Sequence, residues 1–303
     1  PFLTFKITRR RMTAGAWHTC VLNDTAVHCC GNNGHKQCDV PSDLGPIWAL
    51  AGGGWHTCVI RRDGKLQCFG SNVQGQCDVP DELGLLVSVA AGGWHTCVVQ
   101  ADGRTVCFGS NARGQCAVPP NLGPTVSVAA GATHTCALQA SGTVMCFGGN
   151  IHGQCDVPEG AGSIVAVTAG LWHTCLLQAG GRVLCFGWDT DGQCEVPSDL
   201  EATAVAAGGR HTCVLQANGK VVCFGDNRSG QCTVPAGLGR VTAVAAGDSH
   251  TCVLQEDGTL VCFGCDSYGQ CGMTGVTLDV QSNAFTPHFT PCDSVLAMQT
   301  ACV

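Results

Sequence analysis

Charged side chains are scarce. Asp, Glu, Lys and Arg make up 12% of the 303 residues, about half the usual share of ~25%. Basic residues are outnumbered by acidic ones, 15 to 22, and the net charge is −7. With no basic excess to neutralise phosphates, nucleic-acid binding is not expected. No run of 18 apolar residues occurs, so the chain is not expected to insert a helix into a membrane. Helical hydrophobic periodicity is also missing. The chain opens on Pro1 with no apolar signal core behind it, and reads as processed or trimmed. At 45% hydrophobic residues it is not a disordered polymer.

Cysteine and glycine are abundant. The 25 Cys are about 8% and the 42 Gly about 14% of the chain, against an average Gly share near 7% and a disulfide-scaffold threshold of about 8–10% Cys. Yet a chain of 303 residues can bury a core without staples, so the cysteines need a specific cause. His-Thr-Cys occurs seven times, starting at His18, His56, His95, His134, His173, His211 and His250, in steps of 38 or 39 residues. Such a period marks a repeat architecture.

The unit from Val87 to Gly123 gives the plan. VSVAA reads as a strand, broken by Gly92-Gly93. HTCVVQ is a second strand ending in the turn Asp102-Gly103, and TVCFG is a third. SNARGQ is a turn-rich loop suited to left-handed backbone angles. QCAV reads as a fourth short strand, stopped by Pro119-Pro120. Seven units of about 39 residues with four short strands each predict an all-β, single-domain, seven-bladed β-propeller. The repeats run approximately over 1–45, 46–84, 85–123, 124–162, 163–201, 202–239 and 240–278, with 279–303 as a C-terminal tail for ring closure.

The unit resembles the regulator-of-chromosome-condensation repeat family. The resemblance rests on an AAG-x-x-HT start, a DG turn, C-F-G in place of that family's W-G, and a closing N-x-x-G-Q loop. In the third unit these fall at Gly92, His95, Asp102-Gly103, Gly109, Asn111 and Gly114-Gln115. The resemblance implies a seven-bladed propeller. In repeat length the units are similar to the compact bacterial β-lactamase inhibitor of this repeat type, which implies a partner gripped by ring loops. Nuclear members of the family activate a small GTPase, so a guanine-nucleotide exchange factor is one alternative. No unit carries a long insertion, and the one basic run, Lys6 with Arg9-Arg10-Arg11, reads as a solvated lead strand.

Three aligned cysteines recur per unit. The first follows His-Thr (Cys20, Cys58, Cys97, Cys136, Cys175, Cys213, Cys252), and the second precedes Phe-Gly in most units (Cys29, Cys68, Cys107, Cys146, Cys185, Cys223, Cys262). The third follows Gln (Cys38, Cys77, Cys116, Cys155, Cys194, Cys232, Cys271), at the family's Leu position, and reads as a buried free thiol. Cys30, Cys265, Cys292 and Cys302 fall outside this scheme. A three-residue loop from Ala101 to Gly103 pairs Gln100 with Arg104 and sets Cys97 opposite Cys107. Opposed Cβ atoms lie roughly 4.5–5.5 Å apart, within reach of a disulfide after modest adjustment. In the first unit, a two-residue turn at Asp24-Thr25 keeps Cys20 opposite Cys29. The expected bridges are Cys20–Cys29, Cys58–Cys68, Cys97–Cys107, Cys136–Cys146, Cys175–Cys185, Cys213–Cys223 and Cys252–Cys262, with Cys292–Cys302 as an eighth candidate. They imply an oxidising compartment, secreted or an organelle lumen, rather than cytosol or nucleus. Two other readings stay open. One is free thiols acting as small hydrophobes. The other is a metal or redox protein using His95, Cys97, Cys107 and Cys116, although that spacing matches no known zinc pattern.

A His in every unit belongs to the blade template, as a buried imidazole bridging backbone groups. No acidic pair stands out as general acid and base, so neither enzyme activity nor a cofactor or metal is expected. Binding should reside where the template varies. The residue before each His is Trp17, Trp55, Trp94, Thr133, Trp172, Arg210 or Ser249. Trp and Arg are enriched in binding hot spots, so Trp17, Trp55, Trp94, Trp172 and Arg210 are the candidate partner contacts. The plainer alternative is that each Trp packs on its neighbouring blade. A second variable ring, His35, Gln74, Arg113, His152, Asp191, Ser229 and Tyr268, reads as a solvated rim or a second contact face. The expected function is a non-enzymatic protein-interaction module, either a secreted binder or an extrinsic lumenal subunit of a larger, even membrane-bound, assembly.

Overall fold

The computed structural model describes residues 11–23 and 26–278, and among them every regular element is a strand. They form seven antiparallel three-stranded sheets, each from one contiguous stretch of chain. In the third, Leu86–Ala91 pairs with His95–Gln100, which pairs with Thr105–Gly109. The same order runs from Met12–Ala14, His18–Asn23 and Ala26–Gly31 in the first sheet to Val241–Ala246, His250–Gln255 and Leu260–Gly264 in the last. The first strand of each sheet touches the first strand of the next, and Val241–Ala246 touches Met12–Ala14. First strands therefore line the axis of a closed seven-bladed β-propeller, with middle and outer strands following outward.

The middle strands explain why the sequence reads as nearly continuous apolar runs. In His95–Gln100 every residue is buried. Val98 packs with Ala51 and Ile60 of the preceding blade, whereas Cys97 and Val99 pack with Val128 and Ala137 of the following one. A strand covered on both faces has no polar side to present.

Each blade has three strands where the sequence suggested four. At Gln115-Cys116-Ala117-Val118 the backbone donors are used locally. Cys116 N–H donates to Asn111 Oδ1, Ala117 N–H to the Gly114 carbonyl and Val118 N–H to the Cys116 carbonyl. Pro119 and Pro120 then supply no N–H at all. The segment therefore forms consecutive turns instead of adding a ladder to the outer strand.

The hairpin register is the one that the turn length demands. Gln100 N–H donates to the Arg104 carbonyl, and Gly103 turns the chain at a φ of 85°. Cys97 faces Cys107 directly. All seven hairpins carry a disulfide at that site: Cys20–Cys29, Cys58–Cys68, Cys97–Cys107, Cys136–Cys146, Cys175–Cys185, Cys213–Cys223 and Cys252–Cys262. The turn at Asp24-Thr25, the basic residues Lys6, Arg9 and Arg10, the Cys292–Cys302 candidate and the tail 279–303 lie outside the described residues.

Candidate functional site

The seven His residues form a girdle within the ring. Each is fully buried, and each Nε2 lies 2.9–3.0 Å from the Thr hydroxyl of the next blade: His18 with Thr57, His56 with Thr96, His95 with Thr135, His134 with Thr174, His173 with Thr212, His211 with Thr251, and His250 with Thr19 across the seam. In six blades the Thr hydroxyl donates onward to a Gln carbonyl of the preceding blade, as Thr96 does to Gln76 at 2.8 Å. A hydroxyl has one proton to give, so in those six pairs the imidazole donates from Nε2 and carries no proton on Nδ1. The Nδ1 atoms are buried without a partner. The imidazoles thus bond a side-chain hydroxyl, and not the backbone groups expected from sequence. Burial is the largest cause that lowers their pKa, to about 3 or about 4. These groups hold blades together and are closed to solvent.

One residue earlier the environment changes. Trp17, Trp55, Trp94, Trp172 and Arg210 are all half-buried, on the loops between first and middle strands. The outer strands end on this same side of the ring, so the second variable ring joins the first on a single face. Residues of one blade's closing loop lean on the next blade's Trp. His35 stacks edge-on to Trp55 at 5.2 Å, Tyr268 to Trp17 at 5.8 Å, and His152 lies 5.9 Å from Trp172. Trp55 and Trp94 touch across the blade boundary at 6.2 Å. Tyr268, Val73 and Ile151 project from the same loops at 53%, 69% and 77% exposure.

A second arc gathers around the fifth blade. Trp188 contacts Trp172 at 5.6 Å and His152 at 4.2 Å. The Arg210 guanidinium lies 5.8 Å and 5.9 Å from the Trp172 and Trp188 rings, within cation–π range. Asp191 sits between Arg210 at 3.6 Å and Arg228 at 3.5 Å, and Arg228 also pairs with Asp226 at 2.7 Å. Trp188, Val73, Ile151 and Arg228 extend the candidate set, and Asp191 comes from the second variable ring. The detectable signal for Trp188 was its departure from the small or polar residue that usually follows Phe-Gly.

The loops carrying this face are pinned from within. Asn111 Oδ1 accepts the Cys116 N–H, Gln115 Oε1 accepts the Arg113 N–H, and the Gln115 side chain is buried. Cys116 Sγ donates to the Ser110 carbonyl at 3.2 Å. The third cysteine of every blade does likewise as a free thiol, half-buried rather than fully buried. Hence His95, Cys97, Cys107 and Cys116 are committed to a Thr, to one another and to a carbonyl. Among the described residues no three His, Cys, Asp or Glu side chains are grouped to hold a metal ion.

The opposite mouth of the axis is different in kind. A cavity of about 450 Å³ opens there beside the hairpin turns, walled by Trp48, Val87, Val126 and Val165. Each is the extra residue of a β-bulge in a first strand. The corresponding residues in the sixth and seventh blades are exposed Thr203 and Thr242. Trp48 is the one Trp of the six outside the loop face.

Known proteins can be set beside this geometry. The model of the regulator of chromosome condensation (RCC1) repeat matches residues 49–76, 86–115, 125–154, 164–193, 202–231 and 241–270, more than half of the chain. No curated protein matches the sequence. Among solved structures, the ectodomain of the Physcomitrella patens receptor kinase CR4 is similar at 25% identity and a TM-score of 0.70, over 84% of this chain and 72% of that one. The CRINKLY WD40 ectodomain of the Arabidopsis thaliana receptor kinase ACR4 is similar at 23% identity and a TM-score of 0.68, over 84% and 96%. Prp20p of Saccharomyces cerevisiae, described with binding properties to Gsp1p and histones, is similar at 17% identity and a TM-score of 0.66, over 74% and 73%. The last two likenesses are of fold alone.

Proposed function

Because the chain belongs to the regulator of chromosome condensation (RCC1) repeat family, we propose that it is a non-enzymatic protein-interaction module that holds a protein partner on its loop face. The observation that carries this reading is the pooling of both variable loop rings on one side of the propeller. There Trp17, Trp55, Trp94, Trp172, Trp188 and Arg210 stand half-exposed beside Val73, Ile151 and Tyr268. Exposed apolar clusters rimmed by polar groups mark interaction sites, and Trp, Tyr and Arg supply most hot-spot energy. Loops fixed by their own Asn and Gln side chains lose little entropy when a partner docks. The non-enzymatic reading is supported by the commitment of every template His to a Thr. The proposed setting is an oxidising compartment, as a secreted binder or an extrinsic lumenal subunit. Seven hairpin disulfides and the likeness to the ectodomain of the receptor kinase CR4 support it.

The test is differential capture from the native source. Immobilised wild type and Trp48→Ala, altered on the other face, should retain the same proteins, and Trp55→Ala/Trp94→Ala should lose them. Equal retention by all three proteins would refute the loop face as the contact.

A further inference from the structure

The ring has one seam, where the last blade meets the first. Among the described residues no strand from one end of the chain completes a sheet of the other. The seam is held by the same side-chain contacts as any other blade boundary, such as His250 with Thr19. It carries the whole topological load of closure, however, because every other boundary is also crossed by the covalent chain.

The cysteines that break the template collect here. Among the described residues two fall outside the three-per-blade scheme, Cys30 and Cys265. Cys30 replaces the Phe that follows the second hairpin cysteine in every other unit, and it pairs with Thr19 as Phe69 pairs with Thr57. Its thiol points across the seam and donates to the Gln270 carbonyl at 3.5 Å. That carbonyl belongs to the peptide bond of Cys271. A Cβ built on Gly272 would stand 4.0 Å from the Cys30 Cβ, and one built on Gly31 would stand 3.1 Å from the Gln270 Cβ. Cys30 and Cys271 pack on the same apolar cluster of Met12, Val21, Leu254 and Leu260. The Cys271 thiol is turned away to the Cys265 carbonyl at 3.6 Å, a weak contact that one χ1 rotation releases.

We propose that Cys30 and Cys271 form an eighth disulfide that clasps the first blade to the last. The inference rests on the oxidising compartment proposed above. The oxidant is a disulfide, either of a folding catalyst or of oxidised glutathione. The Cys30 thiolate attacks one of its sulfurs and forms a mixed disulfide, releasing a first thiolate. The Cys271 thiolate then attacks the Cys30 sulfur, forming the Cys30–Cys271 bond and releasing a second. The two protons lost by the cysteines end on the two released thiols, so one disulfide is reduced as the other forms. Burial raises the pKa of both thiols in the closed ring, that of Cys271 to about 12. Thiolate attack therefore belongs to assembly, before the seam is packed, and the clasp is a structural lock and not a redox switch.

Wild-type protein folded in a glutathione redox buffer, alkylated under denaturing conditions and digested without reductant should yield a Cys30–Cys271 linked peptide beside the seven hairpin pairs. Cys30→Ser should keep the hairpin pairs, expose one more alkylatable thiol and lower the Tm by several degrees, since the lost link spans the sequence from residue 30 to residue 271. Hairpin pairs intact with Cys30 and Cys271 both alkylated, or with Cys30 joined to Cys38, would overturn the clasp and leave the compartment reading standing. Hairpin cysteines alkylated as well would overturn both.

Discussion

Trp94 and His95 are neighbours in the chain and opposites in behaviour. His95 is fully buried, bonded across a blade boundary, and has a counterpart in all seven units. Trp94 is half-exposed, and its position is Thr, Arg or Ser in three of the other six blades. The boundary between an inter-blade girdle and a recognition crown thus falls within one peptide bond, repeated around the axis. Strand alternation and the end of the middle strand create it. His95 is the first residue facing the next blade, and Trp94 is the last on the loop. The girdle needs one solution seven times, because every blade meets the same kind of neighbour. The crown is free of that demand, so variation there costs the fold little.

The girdle should fail collectively in acid, and this is the largest effect expected. Burial lowers the seven imidazoles from 6.5 to about 3 or about 4. The unfolded chain therefore binds protons below pH 6.5 that the folded chain refuses. Stability is fully present above that pH and is lost as pH falls toward about 4. Each His contributes a slope of about 1.4 kcal/mol per pH unit inside that window, and seven act together. A thermal unfolding series from pH 7 to 4.5 should show a steep fall in Tm below pH 6. A flat profile would mean that the girdle is not a closed set of neutral imidazoles.

Next in size is a single break in the girdle. His95→Ala removes a buried ring and the bond that the Thr135 hydroxyl accepts from it, which should cost about 3–5 kcal/mol in denaturant unfolding. Gly92→Ala should act on the same joint, because its Cβ would collide with the His95 ring and lie 2.6 Å from the Gly131 carbonyl. A cost below about 1 kcal/mol for His95→Ala would erase the distinction between the two regions. The hairpin disulfides come third. Each closes a loop of 9 or 10 residues, worth about 2.7 kcal/mol in the chain-entropy account. Replacing both Cys97 and Cys107 by Ala should lower stability by roughly that amount and leave the other six bridges detectable by mass.

Much of this was legible in the repeat. The spacing of His-Thr-Cys carried the blade number, and the Ala101–Gly103 loop carried the register that joins Cys97 to Cys107. What escaped were features set by competition or by the ring. QCAV has strand-like residues, but Asn111, Gly114 and two prolines consume or remove its donors, which no propensity reveals. The partner of His95 is Thr135, 40 residues away, and only circular closure brings them together. The Trp positions were visible as variation on a constant background. That both variable rings share a face follows from strand direction, because the loops after the first and third strands of an antiparallel blade emerge on the same side.

The smallest stability change separates the crown most sharply from the girdle. Trp94→Ala removes an aromatic contact with Trp55 at 6.2 Å, worth about 1 kcal/mol, and opens no interior cavity because the ring is already half-solvated. Tm should move by only a few degrees. Binding should behave inversely. If Trp94 and Trp55 are anchors, removing both should weaken partner affinity by at least about 30-fold, the equivalent of ~2 kcal/mol. Arg210→Ala offers an independent reading on the other arc, where the guanidinium lies near Trp172 and Trp188. Loss of binding in the Trp55/Trp94 variant alone, or in Arg210→Ala alone, would confine the footprint to one arc. Loss in both would require a partner wide enough to span the axis. Unchanged affinity in both, with Tm falling as far as in His95→Ala, would make the Trp residues inter-blade packing and return the crown to the template.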